Sequence, residues 1–415
     1  MTSVSRIAVI GLGYVGLPTA ATLAESGLDV IGVDIDQEIV DLVNRGRAPT
    51  AEPGLADLVE RAARDGRLKA STTVSPADAY IIAVPTPLAP GAGAGVPDLS
   101  YVEAASDAVA EVLCAGECVI IESTVPPGTT RRMAARITAI RPDLSAPGDI
   151  TVAHCPERVL PGRVLAEIRT GDRLIGGLTP ADSRRIAAIY STFCAGELIT
   201  TDAESAELAK LAENAFRDVN VAFANELANV CERLGLDVWE VRRLANRHPR
   251  VEILRPGPGV GGHCVAVDPW FITSVAPDVT PLIRAARMVN DARPEHVADQ
   301  LDRAARLVGA ATVGCLGLAF KADVGDLRAS PAVEIARRLA TARPDIKLLV
   351  AEPFIAALPA ELASLANVTL TSAGQAIAGA DLIALLADHA CFGPITSERL
   401  AGRPFFDTRG TAAFR

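Results

Sequence analysis

No Cys-x-x-Cys pair occurs in the chain, and the eight cysteines (Cys114, Cys118, Cys155, Cys194, Cys231, Cys264, Cys315 and Cys391) follow no regular spacing. A disulfide framework and a structural zinc site are therefore excluded as organising devices, no metal site is expected, and the thiols are expected to be reduced. A dense Lys/Arg block is also absent: 40 basic residues stand against 50 acidic ones, a net charge of −10. Extended contact with a nucleic-acid backbone is thereby excluded, so an anionic ligand has to be held by a local cluster of cations. No low-complexity tract, short-period repeat or G-x-y period breaks the 415 residues. What is present is an ordinary folded composition, 49% apolar and 22% charged, in a chain long enough for more than one core. The uncharged run Ile7 to Ala24 reaches the lower limit for a membrane span, but Gly11, Gly13, Gly16 and Pro18 lie inside it and Glu25 closes it. A strand, tight turn and helix explain it better, so no membrane insertion and a cytoplasmic protein are expected.

Short apolar runs (RIAVI, DVIGVD, AYIIAV, ECVIIES, DITVAH) alternate with helical patterns from residue 6 onward, the rhythm of a parallel sheet covered on both faces. Gly/Pro-rich loops follow two of them, at PTPLAPGAGAG and STVPPGTT, where doubly wound sheets bind ligands. Near Thr201 the texture becomes one helical stretch, with Asp202 as its cap and Gly235 as its stop. Some 30 residues make a rod of about 45 Å. A second strand-helix alternation begins near Thr312 with TVGCLGLAF and ends at PFFD. The fold class expected is α/β: two Rossmann-like doubly wound domains joined by a long central helix.

Gly11-Leu12-Gly13-Tyr14-Val15-Gly16 follows a strand and opens a helix, and Asp34 closes the next strand 18 residues beyond Gly16. The first glycine permits the turn, the second lets backbone approach a pyrophosphate, the third lets helix pack on strand, and the helix N-terminus attracts negative charge. Asp34 suits a ribose diol and repels a 2′-phosphate, favouring NAD over NADP; its plainer reading is a helix cap. Lys210, Asn214 and Arg217, at steps of four and three, share one helix face, which is either solvated or lines a cleft. There lysine polarises an alkoxide and asparagine holds a hydroxyl or water. Pro256 to Cys264 is Gly-rich enough to wrap a ligand, and Cys264 just beyond it has a setting unsuited to core packing. If the chain turns helical after His263, Asp268 shares the face of Cys264. Cys114, Cys118, Cys194, Cys231, Cys315 and Cys391 are expected to be packing residues. Glu157 and Arg158 end a strand as a base and a ligand contact, or as a solvated pair; Arg247, His248 and Arg250 flank Pro249 in a rigid basic turn; Lys321 and Arg328 follow the first strand of the last domain.

The motifs GLGYVGLPTA, VDID, AVPTP, ESTVPPGT, CPERVLPG, KLAENAFRDVNVAFANE, NRHPR, PGPGVGGHCVAVDPWF, GLAFKADVGDLRASP and DTRG run in this order from residue 7 to 410. Together they resemble the UDP-glucose/GDP-mannose dehydrogenase family, which makes uronic acids by two successive oxidations, and within it the branch acting on UDP-linked acetamido sugars. The resemblance implies an NAD-binding domain over 1–200, a central helical dimerisation and catalytic region over 201–300, and a UDP-sugar-binding domain over 301–415. It assigns NAD to Gly11, Gly13, Tyr14, Val15, Gly16, Asp34, Thr86, Thr124 and Arg328. It assigns the nucleotide sugar to Glu157, Arg158, Val159, Lys210, Asn214, Arg217, Gly261, Lys321 and Arg409, with His248 and Arg250 reaching in from a partner subunit of a homodimer or larger assembly. The expected catalytic set is Cys264, Lys210, Asn214, Asp268 and Glu157, and the expected reaction is four-electron oxidation of the C6 hydroxyl of UDP-N-acetyl-D-mannosamine through a Cys264 thiohemiacetal and thioester. UDP-N-acetylglucosamine and UDP-glucose are alternative substrates. A one-step hydroxyacid or polyol dehydrogenase, which has no need of Cys264, and a silent NAD sensor are the rival readings.

Overall fold

The computed structural model describes residues 4–50, 52–89, 95–160 and 162–411. Residues 90–94 of the PTPLAPGAGAG loop and Pro161 of CPERVLPG lie outside these. The chain divides into two compact units, residues 1–213 with 270–277, and residues 214–269 with 278–415.

The first unit carries eight strands: β1 (Arg6–Ile10), β2 (Asp29–Val33), β3 (Leu68–Ser71), β4 (Ala79–Ile82), β5 (Cys118–Ile121), β6 (Thr151–His154), β7 (Arg173–Gly177) and β8 (Leu198–Asp202). Their order is β3-β2-β1-β4-β5-β6-β7-β8, which reverses direction between β1 and β4. Every residue of β4, β5 and β6 is buried, as strands covered on both faces require. The sheet departs from the expected parallel pattern at one edge: β7 runs antiparallel to β6, and β8 pairs parallel with β7. The connection from β6 contains only the short helix Val164–Thr170, so the chain doubles back instead of making a full crossover.

The second unit has a five-stranded, wholly parallel sheet of β9 (Thr312–Leu316), β10 (Lys347–Ala351), β11 (Val368–Leu370), β12 (Leu382–Leu385) and β13 (Phe405–Asp407), in the order β11-β10-β9-β12-β13. Val297 and Leu301 of the helix Pro281–Val308 pack with Val313, Ile335 and Leu348 in its core. The fold is thus two doubly wound α/β sheets with a long helix, Ala203–Leu234, between them in sequence. At 32 residues that helix is about 48 Å long. Asp202 accepts the Ser205 N–H at its start, and Gly235, at φ 67°, follows its end. Of the six cysteines expected to pack, four (Cys118, Cys194, Cys231 and Cys315) are buried and two (Cys114 and Cys391) are exposed. The exposed pair corrects the packing expectation. Cys114 lies just past the helix Ser100–Val112, and Cys391 in a single helical turn, Ala390–Phe392, that buries Phe392 instead. Among the described residues no helix is long and apolar enough to cross a membrane.

Candidate active site

In the first unit, the turn after β1 shows what each glycine does. Gly11 has φ 94°, and a Cβ there would lie 2.6 Å from the Ala83 carbonyl oxygen beyond β4. A Cβ on Gly16 would lie 1.9 Å from the Gly11 oxygen, so helix Gly16–Glu25 reaches the strand only because Gly16 has no side chain. A Cβ on Gly13 would meet nothing of the protein within 4 Å. Packing therefore does not demand glycine at 13, and the open backbone there leaves room for the close approach of an anionic ligand. Asp34 ends β2 half-buried; Oδ2 accepts the Leu12 N–H at 2.8 Å and Oδ1 the Asp36 N–H at 3.0 Å. It is not the helix cap, because Asp36 caps helix Gln37–Asn44 by accepting from Glu38. Asp34 instead fixes the glycine turn while its remaining lone pairs stay available to a diol. These features fit a dinucleotide.

Tyr14 donates to Glu52 at 3.0 Å, and Glu52 also accepts the N–H groups of Gly162 and Val164, tying the turn to the end of the CPERVLPG segment. Val15, Thr86 and Thr124 are half-buried beside the strand ends, where Ser123 bonds the carbonyls of Ile82 and Val84. Beyond β6, Glu157 accepts the Arg158 N–H at 2.6 Å and the Arg173 guanidinium at 2.9 Å. Arg158 is exposed and paired with Glu213 at 2.7 Å, and Val159 is half-buried. Lys210 is buried. Burial, with a smaller contribution from the Lys210 charge, pushes His154 at the end of β6 down to about 3, so this imidazole stays neutral.

In the second unit, Asn214 donates to Asp268 at 2.6 Å, bringing together two residues separated by 54 positions. Helix Asp268–Val275 is preceded by a turn in which the Asp268 N–H bonds the Cys264 carbonyl at 2.9 Å. The expected Cys264–Asp268 spacing is thus realised, with Cys264 exposed and Asp268 buried. The Gly-rich segment before Cys264 runs against the segment after β9. A Cβ on Gly261 would lie 2.6 Å from the Ala329 oxygen and 2.7 Å from the Phe320 Cβ, and the Gly262 N–H bonds the Arg328 carbonyl. Asp323 and Ala329, non-glycine residues in that same segment, have φ of 60° and 49°. Such strain is held only where the surroundings over-determine the backbone.

A buried polar chain anchors the other end of the Gly-rich segment. Asn225 accepts the Gly257 N–H and donates to Asn290, Asn290 donates to Asp218, and Arg287 donates to Asp218. Arg293 donates to the Gly257 carbonyl at 3.0 Å, and burial pushes its pKa down to about 10. Arg409 is held by Asp388 at 2.8 Å, its guanidinium close to Gly257. Arg328 is exposed and bound to Asp326; burial opposes the Asp326 charge, but the arginine holds that carboxyl low. Lys321, Arg217, His248 and Arg250 are exposed. Arg217 shares a face with Lys210 and Asn214 by spacing yet not their burial. Among the described residues no cluster of three or more His, Cys, Asp or Glu has the form of a metal site.

Sequence reasoning missed Glu52, Glu122, Arg173, Asn225, Asn290 and Glu352. Only Glu122 had a local signal, a carboxylate directly after the buried strand CVII.

Three models of one family match the chain. They are described as UDP-glucose/GDP-mannose dehydrogenase family, NAD binding domain over residues 5–194, central domain over 204–292, and UDP binding domain over 314–413. An NDP-N-acetyl-D-galactosaminuronic acid dehydrogenase of Ralstonia nicotianae is 51% identical over 410 residues, 97% of this chain and 95% of that protein. A UDP-N-acetyl-D-mannosamine dehydrogenase of Escherichia coli is 48% identical over 422 residues, 98% of this chain and 99% of that one. The solved structure of a UDP-D-ManNAc dehydrogenase from Pyrococcus horikoshii matches with a TM-score of 0.87 at 37% identity, covering 99% of this chain and 96% of that one.

Proposed function

The chain belongs to the UDP-glucose/GDP-mannose dehydrogenase family, and on that premise we propose that this NAD-dependent nucleotide-sugar dehydrogenase oxidises the C6 hydroxyl of UDP-N-acetyl-D-mannosamine to the carboxylate. NAD, when bound, would supply the hydride acceptor for each of the two oxidations. Gly11, Gly13, Tyr14, Val15, Gly16, Asp34, Thr86, Thr124 and Arg328 are the residues that hold it in this reading.

In the first oxidation, a water held by Asp268 and Lys210 takes the hydroxyl proton as hydride leaves C6, giving the aldehyde. The Cys264 sulfur then adds to that carbon, and the resulting alkoxide is stabilised by Lys210 and Asn214. Loss of the second hydride converts the thiohemiacetal to a thioester. Water activated by Glu157 adds to the thioester, the C–S bond breaks, and acid and free thiol are released. Arg158, Val159, Arg217, Gly261, Lys321 and Arg409 bind the nucleotide sugar, with His248 and Arg250 supplied by a partner subunit. The observation that carries the reading is the Asn214–Asp268 hydrogen bond one turn beyond an exposed Cys264. It supports a thiol, a carboxylate and an amide acting as one group.

The central region 201–300 is the dimerising part of the 1–200, 201–300 and 301–415 organisation in this reading, and the enzyme works in the cytoplasm as a homodimer or larger assembly. Phe216, Phe223 and Val230 support it: they recur every seven residues along the long helix, and they are 71%, 58% and 47% exposed. A heptad stripe of this kind suits a second copy of the same helix. The Ralstonia relative, named for NDP-N-acetyl-D-galactosaminuronic acid, favours a second substrate, a nucleoside-diphosphate-linked N-acetylgalactosamine. The test is kcat/KM and NADH yield on UDP-N-acetylmannosamine, UDP-N-acetylgalactosamine, UDP-N-acetylglucosamine and UDP-glucose. Highest kcat/KM on the first, with two NADH per sugar, is the expected result. One NADH with released aldehyde contradicts the mechanism, and preference for another sugar contradicts the substrate.

A further inference from the structure

The first unit buries two carboxylates against one guanidinium. Arg173 Nη1 lies 2.9 Å from Glu157 Oε2 and 3.9 Å from Glu122 Oε1, and Arg173 Nη2 has no hydrogen-bond partner among the described residues. The side chains of Glu122, Arg173 and Glu157 are 0%, 3% and 8% exposed. Tyr190 donates to Glu122 Oε1 at 2.9 Å, and Thr19, on the helix that opens at Gly16, donates to Oε2 at 3.3 Å. The Arg173 guanidinium lies 5.7 Å from the centre of the Tyr190 ring. The groups facing Glu122 are therefore Thr19, Tyr190 on helix Pro180–Tyr190, Arg173 on β7, Glu157 beyond β6, and Cys155 between β6 and Glu157. Burial holds Cys155 as a thiol, pushing it up to about 12. Burial, then the charge of Glu157, pushes Glu122 up to about 7 against the pull of Arg173. One cation cannot satisfy two buried anions, so Glu122, the more distant from the guanidinium, is the carboxyl whose charge the surroundings resist.

We propose that Glu122 is a positioning residue for Glu157, setting through the shared Arg173 how strong a base Glu157 is when it activates the hydrolytic water. This rests on the reading that Glu157 is that base. With Glu122 protonated, the guanidinium charge falls to Glu157 alone and weakens it as a base. With Glu122 ionised, the cation is shared and a second negative charge stands nearby, so Glu157 draws a proton from water more strongly. Glu122 touches no reacting atom in this scheme.

The experiment is rapid-quench measurement of acyl-enzyme breakdown against pH in the full-length enzyme with NAD and UDP-sugar. In wild type the rate should pass an inflection near the Glu122 titration, about 7. Glu122→Gln should lose that inflection and, at alkaline pH, fall to about a tenth of the wild-type rate, with KM for both substrates unchanged within about twofold. Tyr190→Phe, which removes a donor to the carboxylate, should move the inflection upward. A Glu122→Gln profile superimposable on wild type overturns the proposal; if that variant does not fold, an unshifted Tyr190→Phe profile overturns it and an upward shift supports it. Glu157→Gln separates the two readings. Wild-type acid release by that variant removes Glu157 as the base and this proposal with it, whereas an impaired Glu157→Gln beside an unaltered Glu122→Gln profile removes only the role of Glu122.

Discussion

After β1 and after β9 the chain turns through a glycine at positive φ, Gly11 at 94° and Gly317 at 85°, each pressed against the strand end across the reversal of its sheet, at Ala83 and Ala387. In both places an acid closing the neighbouring strand accepts backbone N–H groups of the turn, Asp34 from Leu12 and Glu352 from Leu318 and Ala319. The next five residues separate them. GLGYVG enters its helix at Gly16, whereas GLAFKA places Ala322 at the matching position, and no helix begins until Pro331. The chain spends the interval in the strained segment against which Gly261 and Gly262 pack.

The two acids differ as well. Asp34 is half-buried at the surface of its turn. Glu352 is fully buried and also accepts from Phe354 and lies 2.9 Å from His389 Nε2. Because His389 Nδ1 accepts the Asp323 N–H, its Nε2 carries the proton and donates to Glu352. One design leaves a carboxylate partly exposed at its turn; the other uses it to lock the loop.

The sharpest way to break this comparison is at the glycines. Gly16→Ala should cost 3 kcal/mol or more, roughly, since its Cβ meets a backbone oxygen, while Gly13→Ala should unfold at the wild-type temperature yet bind NAD at least about tenfold more weakly. Calorimetry with NAD titration reads both, and equal destabilisation would mean that Gly13 serves packing. Next, Glu352→Gln should lose roughly 2–3 kcal/mol, whereas Asp34→Asn should lose under about 1 kcal/mol of stability and most of its NAD affinity. A stable Glu352→Gln would deny that carboxylate its locking role.

The smallest effect sharpens the contrast by pH. Glu352 has a lowered folded pKa: burial opposes its charge, but His389 and the loop N–H groups outweigh it. Its stabilisation is present above the unfolded carboxylate value and is lost as pH falls through the folded one. Glu122 has the opposite sign. With its folded pKa raised to about 7, the unfolded chain ionises first, so this group destabilises as pH rises from its ordinary value of 4.5 toward 7. Glu122→Gln should therefore gain stability over wild type across that interval, on the order of 2 kcal/mol. Chemical denaturation at several pH values checks it, and a constant difference would contradict it.

The sheets, the long helix and the first glycine turn were legible in the sequence because each is written in contiguous residues: period, glycine spacing, cap and stop. The Cys264–Asp268 turn was legible for the same reason. The antiparallel β7 was not, because reversal beyond β6 depends on a connection whose direction no local pattern encodes. Neither were Arg173 with Glu122, or Asn225 with Gly257, partners separated by 51 and 32 positions that only the fold joins. Cys114 and Cys391 show the limit of residue type, which sets an average burial and leaves the position to the chain's path.

The covalent role of Cys264 is tested most directly by intact-protein mass spectrometry of a reaction quenched within the first turnovers. The account predicts a mass increase equal to the nucleotide-sugar acyl group, mapped by digestion to the peptide containing Cys264 and accumulating further in Glu157→Gln. Sustained acid production by Cys264→Ala, with no adduct on the wild-type enzyme, would contradict it.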